Sequence, residues 1–137
     1  MAWNATIEQN WNGSKVKVHG QKAIGKTIIE LALQVEGQAK LLAPIDTGLL
    51  AGSITVQMRE FFTAPEAPAS QGDTIKKPRE KNEAYIGTAV FYGPYIEFGT
   101  INMDAQPFLR PALDLAKGKT LTLLKNNGRL EFAEYMR

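Results

Sequence analysis

The spacing of apolar positions changes period several times along this chain. Residues 3–9 alternate, with Trp3, Ala5 and Ile7 on one side and Asn4, Thr6 and Glu8 on the other. That is the pattern of a half-buried strand. Asn12-Gly13 is a tight-turn pair, and Lys15-Val16-Lys17-Val18 alternates again. The pattern predicts an N-terminal hairpin within residues 1–20, or a loose arm, because each strand holds few apolar residues. From Gln21 to Ala43 the period becomes helical. Ile24, Ile28, Ala32, Val35, Ala39 and Leu42 draw one apolar stripe, and Lys22, Lys26, Glu30, Gln34, Gln38 and Lys40 fall mostly outside it. Pro44 ends this helix, since the residue before a proline is pushed out of helical geometry.

Ile54, Val56 and Met58 then alternate with Thr55, Gln57 and Arg59, predicting a strand from about Ser53 to Phe61 or Phe62. Residues 63–82 break the pattern with three prolines, small residues and charges, so they form a long loop. The returning strand is Ala84 to Val90. Phe91 to Thr100 is dense in aromatics, and Tyr92, Tyr95 and Phe98 recur at steps of three. That suits one short helical turn capped by Gly99. Glu97 among these rings needs a partner, for which Arg59 and Arg110 are candidates. Pro107 can open a second helix reaching about Lys117, with Pro111 tolerated in its first turn and Gly118 as a break. Thr120 to Lys125 can continue it. Asn126-Asn127-Gly128 reads as a turn, leaving a C-terminal tail over 126–137 that docks on a neighbour or back on the domain. The fold class is therefore α+β. A long helix packs on a small antiparallel sheet with a long β-hairpin, and a second helix lies near the C-terminus, all in one domain over 1–137.

Composition narrows the function. The chain has 137 residues, 44% hydrophobic and 22% charged, enough to bury a core without a metal or disulfide. It has no cysteine and a single histidine, His19. A thiolate site is excluded, and a histidine-based metal site or triad would have to use a residue in a polar segment. No metal or other cofactor is expected. The net charge of +2 is too mild to argue for nucleic-acid binding by itself. No apolar run reaches membrane-spanning length and no secretory signal opens the chain, so no membrane association is expected.

The one enzyme-like motif is Asp46-Thr47-Gly48. In a small aspartic protease two copies would pair across it. Here a helix and a proline precede the aspartate, where such an enzyme has an apolar strand. Near the C-terminus polar Asn126-Asn127 precedes Gly128-Arg129, where packing residues are needed. The structural reading is a turn made by Pro44, Asp46, Thr47 and Gly48, in which Asp46 accepts backbone N–H bonds and Gly48 supplies freedom in φ. No catalytic residue is assigned. A third reading is a nucleic-acid module using the basic loop residues Lys76, Lys77, Arg79 and Lys81, against the plain alternative of a solvated loop.

Two clusters together resemble a known family. One is Ala43-Pro44-Ile45-Asp46-Thr47-Gly48-Leu49 through Ser53-Ile54. The other is Tyr92-Gly93-Pro94-Tyr95-Ile96-Glu97-Phe98-Gly99-Thr100, followed by Ala105-Gln106-Pro107-Phe108-Leu109-Arg110-Pro111-Ala112-Leu113. In order and spacing they resemble the minor tail, or tail-completion, family of long-tailed bacteriophages, of the gene-product-ten type of phage HK-ninety-seven, over about residues 22–117. The chain departs from that family's pattern at Leu49 and at Ala51-Gly52, where basic residues are usual. The family's N-terminal region is usually helical, which conflicts with a hairpin there. The resemblance implies a non-enzymatic virion protein, made in the host bacterial cytoplasm and placed at the head-proximal end of the tail. It implies a homo-oligomeric ring, sixfold like the tail, around genomic DNA that passes without specific binding. The implied partners are tail terminator and tail tube proteins and the portal, adaptor and stopper proteins of the head connector. Arg59, Lys76, Lys77, Arg79, Glu97, Gly99, Thr100, Phe108 and Arg110 are then the candidates for assembly contacts.

Overall fold

A computed structural model describes residues 12–46, 48–65 and 75–137. Its longest element is α1 (Gly13–Leu42), followed by one turn of helix, α2 (Leu49–Ser53). Strands β1 (Ile54–Met58) and β2 (Ala84–Thr88) pair antiparallel, with Ile54 opposite Thr88 and Met58 opposite Ala84. Three helices complete the chain: α3 (Gly93–Phe98), α4 (Leu109–Lys117) and α5 (Thr120–Tyr135). The architecture is α+β, a small antiparallel sheet and two C-terminal helices packed around one long helix.

The N-terminal expectation fails where it can be examined. Residues 3–9 lie outside the described residues, and Asn12 caps α1 instead of turning a hairpin. Its Oδ1 accepts the Lys15 N–H at 3.2 Å. Asparagine serves both purposes well, and four alternating residues after it are too few to outweigh thirty helical ones. The helix ends at Leu42, beside Pro44, as the proline requires.

The predicted stripe on α1 is correct in the middle and wrong at the ends. Ala32, Val35 and Ala39 are buried, whereas Ile24 and Leu42 are exposed and Ala23 and Thr27 are buried in their place. The buried line shifts because α5 covers the N-terminal half of α1 from another side than α4 covers the C-terminal half. The apolar core joins Val35, Ala39 and Ala43 to Leu50, Ile54, Phe108, Ala112 and Ala116. Small side chains on both α1 and α4 let these helices approach closely. Ala32, Val56 and Met58 form a second cluster.

Strand β1 alternates buried and half-buried residues, as its period-two pattern requires. It is shorter than predicted because the chain bends at Arg59 and Glu60. Residues 61–63 fold back along its other edge, where the Met58 N–H donates to the Phe61 carbonyl and the Thr63 N–H to the Val56 carbonyl. Beneath β1, Ser53 Oγ donates to the Leu50 carbonyl at 2.7 Å, so the Thr88 hydroxyl donates to Ser53. Thr88 in turn accepts the Val90 N–H at 3.0 Å. This chain of bonds ties α2 to the end of β2.

The turn expected at 126–128 is corrected, while docking back on the domain is the one of the two expected dispositions of 126–137 that is found. Asn126-Asn127-Gly128 lies in the middle of α5, which docks back along α1. Burial and side-chain bonding of Asn127 outweigh its turn preference.

Candidate functional site

The short helix α3 is organised around a carboxylate. Glu97 is buried, and its Oε2 accepts the N–H groups of Phe108 (2.8 Å) and Leu109 (3.0 Å). Its Oε1 accepts the Arg110 N–H and the Arg110 Nε, both at 3.1 Å. The Arg110 Nη2 also donates to the Glu97 carbonyl at 3.2 Å, and the guanidinium lies 4.8 Å from the centre of the Phe98 ring. No side chain of α4 itself caps that helix. Glu97 supplies the cap from outside, placing negative charge at the positive end of α4. Burial works against the ionised carboxylate. The N–H groups of Leu109, Phe108 and Arg110, with the Arg110 side chain, outweigh it and hold the carboxyl below its ordinary range. Of the two arginines considered for Glu97, Arg110 is the partner. Arg59 lies at the far end of β1, lining a separate cavity of about 380 Å³ with Lys22 and Phe61.

Gly99 ends α3 with φ of 76°, and a Cβ there would stand 2.8 Å from the Ala105 backbone nitrogen. Only glycine satisfies both conditions. The next residues make a tight loop, in which the Thr100 N–H donates to the Met103 carbonyl at 2.8 Å. The Gln106 N–H is bonded to the Ile96 carbonyl at 2.8 Å. Ile101 stands at the loop tip, fully exposed.

The two sequence clusters converge beside this loop. Pro44, Asp46 and Gly48 from the first, with Tyr92, Tyr95 and Ile96 from the second, line a groove of about 350 Å³. Gly48 has φ of 74° and starts α2, the left-handed position that the turn reading required. Asp46 is exposed, and Thr47 lies outside the described residues. Ile45, Tyr95, Phe98 and Ile101 add exposed apolar surface on the same segments. The groove is therefore largely apolar, with one carboxylate at its rim.

The remaining candidates separate into two groups. Phe108 and Glu97 are buried, so they act inside the fold, while Arg110 and Thr100 are exposed beside the groove segments. Lys76, Lys77 and Arg79 are exposed on the long excursion, and Lys81 pairs with Glu60 at 3.8 Å. Among the described residues no cluster of three or more histidines or carboxylates could hold a metal ion, and no helix is long and apolar enough to cross a membrane.

The sequence reading missed a buried polar seam between α1 and α5. Asn127 donates to Thr27 Oγ1 at 3.1 Å and to Glu30 Oε2 at 3.2 Å, while Thr27 donates to the Ala23 carbonyl. Lys26 donates to the buried Glu131, whose other oxygen lies 3.5 Å from His19 Nδ1. The bond from Lys26 holds the Glu131 carboxyl below its ordinary range against the effect of burial, and raises the pKa of Lys26 itself. The only available signal was the four-residue step between Asn127 and Glu131, which puts both on one helix face.

No family model, curated protein or solved structure matches this chain.

Proposed function

We propose that this chain is a structural protein at the head-proximal end of a long-tailed phage tail. Its copies form a ring, sixfold like the tail, around the DNA channel and help join the tail to the head connector. The observation that carries this reading is the meeting of the two family-like clusters in one groove, with exposed Ile45, Tyr95, Phe98 and Ile101 on the same segments. Residues far apart in sequence but joined in one apolar surface fit selection for a contact with another protein. A ring needs a head-to-tail interface that closes, and such an interface uses two different patches of each copy. The groove is one patch. Exposed Arg59, at the other end of β1, with Lys81 lining the same cavity, offers a second of different chemistry.

The test is electron microscopy of lysates from a phage whose copy of this gene carries an early stop codon. Filled heads beside full-length, unjoined tails are the expected result. Normal infectious particles would overturn the proposal.

A further inference from the structure

Helix α5 is inside out. Its buried residues are Asn127 and Glu131, while Leu121, Leu130, Phe132 and Met136 are exposed. Leu121, Phe132 and Met136 lie close together on the helical wheel, away from the face that meets α1. Its hold on α1 is largely polar: Asn127 on Thr27 and Glu30, and Glu131 on Lys26, beside one ring contact of Tyr135 with His19 at 5.2 Å. Opening such a contact exposes groups that water can satisfy, so it costs less than opening an apolar interface of the same extent.

The joint that holds α5 against α1 is itself nearly helical. Gly118 has φ −62° and ψ −23°, and Lys119 has φ −97° and ψ −10°. All four angles are within about 35° of α-helical values. The bend is made by a tightened turn, in which the Lys119 N–H donates to the Ala116 carbonyl at 3.0 Å. Lys119, the N-cap of α5, makes no side-chain cap bond, while Thr120 Oγ1 donates to the Ala116 carbonyl at 3.3 Å. In one continuous helix the N–H groups of Thr120, Leu121 and Thr122 would bond to the carbonyls of Ala116, Lys117 and Gly118. Straightening therefore trades the tightened-turn bond on the Ala116 carbonyl for a continuous helical ladder through the joint.

We propose that α5 is an exchangeable arm whose second docking site is the α1 helix of another copy of this chain. Straightening at Gly118 and Lys119 fuses α4 and α5 into one helix from Leu109 to Tyr135, about 40 Å long. It carries α5 off its own α1. Every bond of the polar seam is then remade between copies, with Asn127 of one on Thr27 and Glu30 of the other. Because the contacts are the same, the exchange depends on the joint and on concentration. It requires nothing of the tail-end role proposed above.

The chain has no cysteine, so Lys26→Cys and Glu131→Cys can be made as separate proteins. They are mixed, warmed, cooled and treated with a short bis-maleimide. Exchange gives a linked pair of chains well above the level formed by either protein alone. Thr122→Pro is the control for the joint. It occupies the third position of α5, as Pro111 does in α4, where a proline is tolerated, but it would fall inside the continuous helix. Added to both proteins it should reduce the linked pair by about a hundredfold, the cost of a proline in a helix interior. If the cysteine proteins do not fold, light scattering on the native sequence and on Thr122→Pro alone replaces the cross-link. The native protein should then form a dimer at high concentration that the variant does not. Linked chains no more abundant than in the single-protein controls, a yield insensitive to Thr122→Pro, or monomers alone in the scattering would each overturn the proposal.

Discussion

Along its C-terminal half α1 meets α4 and β1 through Val35, Ala39 and Ala43, all buried among other apolar side chains. Along its N-terminal half it meets α5 through Thr27, Lys26 and His19. One helix thus has two kinds of partner. The apolar half gains from removal of surface from water, which is large and does not depend on direction. The polar half exchanges bonds to water for bonds to protein, which gives a small net gain but a strict geometry. The first half holds the fold together, and the second fixes where α5 lies.

Four experiments can break or sharpen this contrast. Phe108→Ala empties the centre of the apolar half and should cost about 3–5 kcal/mol, measured by denaturant unfolding. A loss under 1 kcal/mol would mean that the core is not centred there. Glu97→Gln removes the charge that caps α4 and should cost about 1.5–3 kcal/mol, since bonds to charged groups are the stronger ones. Restoring full stability by adding Arg110→Gln would show that the ion pair, and not the cap, matters. Asn127→Ala, in the polar half, should cost only about 1 kcal/mol in the same assay. A cost equal to that of Phe108→Ala would erase the distinction between the halves.

The smallest effect is on pH. Glu97 and Glu131 have lowered pKa values in the fold. Their contribution is therefore present above the unfolded value of about 4.3 and is lost as pH falls through the lower folded values. Lys26 is raised, so its contribution is present below about 10.4 and is lost as pH rises through the folded value. Stability should be flat near neutrality and fall at both extremes. Glu131→Gln should weaken both slopes, because it removes one acidic group and the partner of Lys26. A variant with unchanged slopes would show that the seam does not titrate with folding.

What the sequence made legible follows the same division. The middle of α1, both strands, the turn of α3 and the break at Gly118 were all visible, because period, proline and glycine are local signals. Glu97 stood out as a carboxylate among aromatic residues in need of a hydrogen-bond or charge partner. That it also caps α4 was not visible, because the cap crosses eleven residues from Glu97 to Phe108. Residues 12–18 and 126–128 misled for one reason. Asparagine and glycine prefer turns locally, but at Asn12 the side chain caps a helix and at Asn127 it bonds across to Thr27. The groove was hidden for a different reason. Nothing between Gly48 and Tyr92 announces that the strands bring these segments together.

The length of α1 carries a mechanical consequence. Thirty residues make a rod about 45 Å long, longer than the usual width of a domain this size. Its first turns touch α5, and the chain just past its last turn lines the groove at Pro44 and Asp46. A tilt of roughly ten degrees about Val35 and Ala39 moves the long N-terminal arm by about 6 Å and the short C-terminal arm by about 1 Å. The helix is in effect a lever with its fulcrum at Val35 and Ala39, so whatever grips or releases its N-terminal end re-aims the surface at the opposite end.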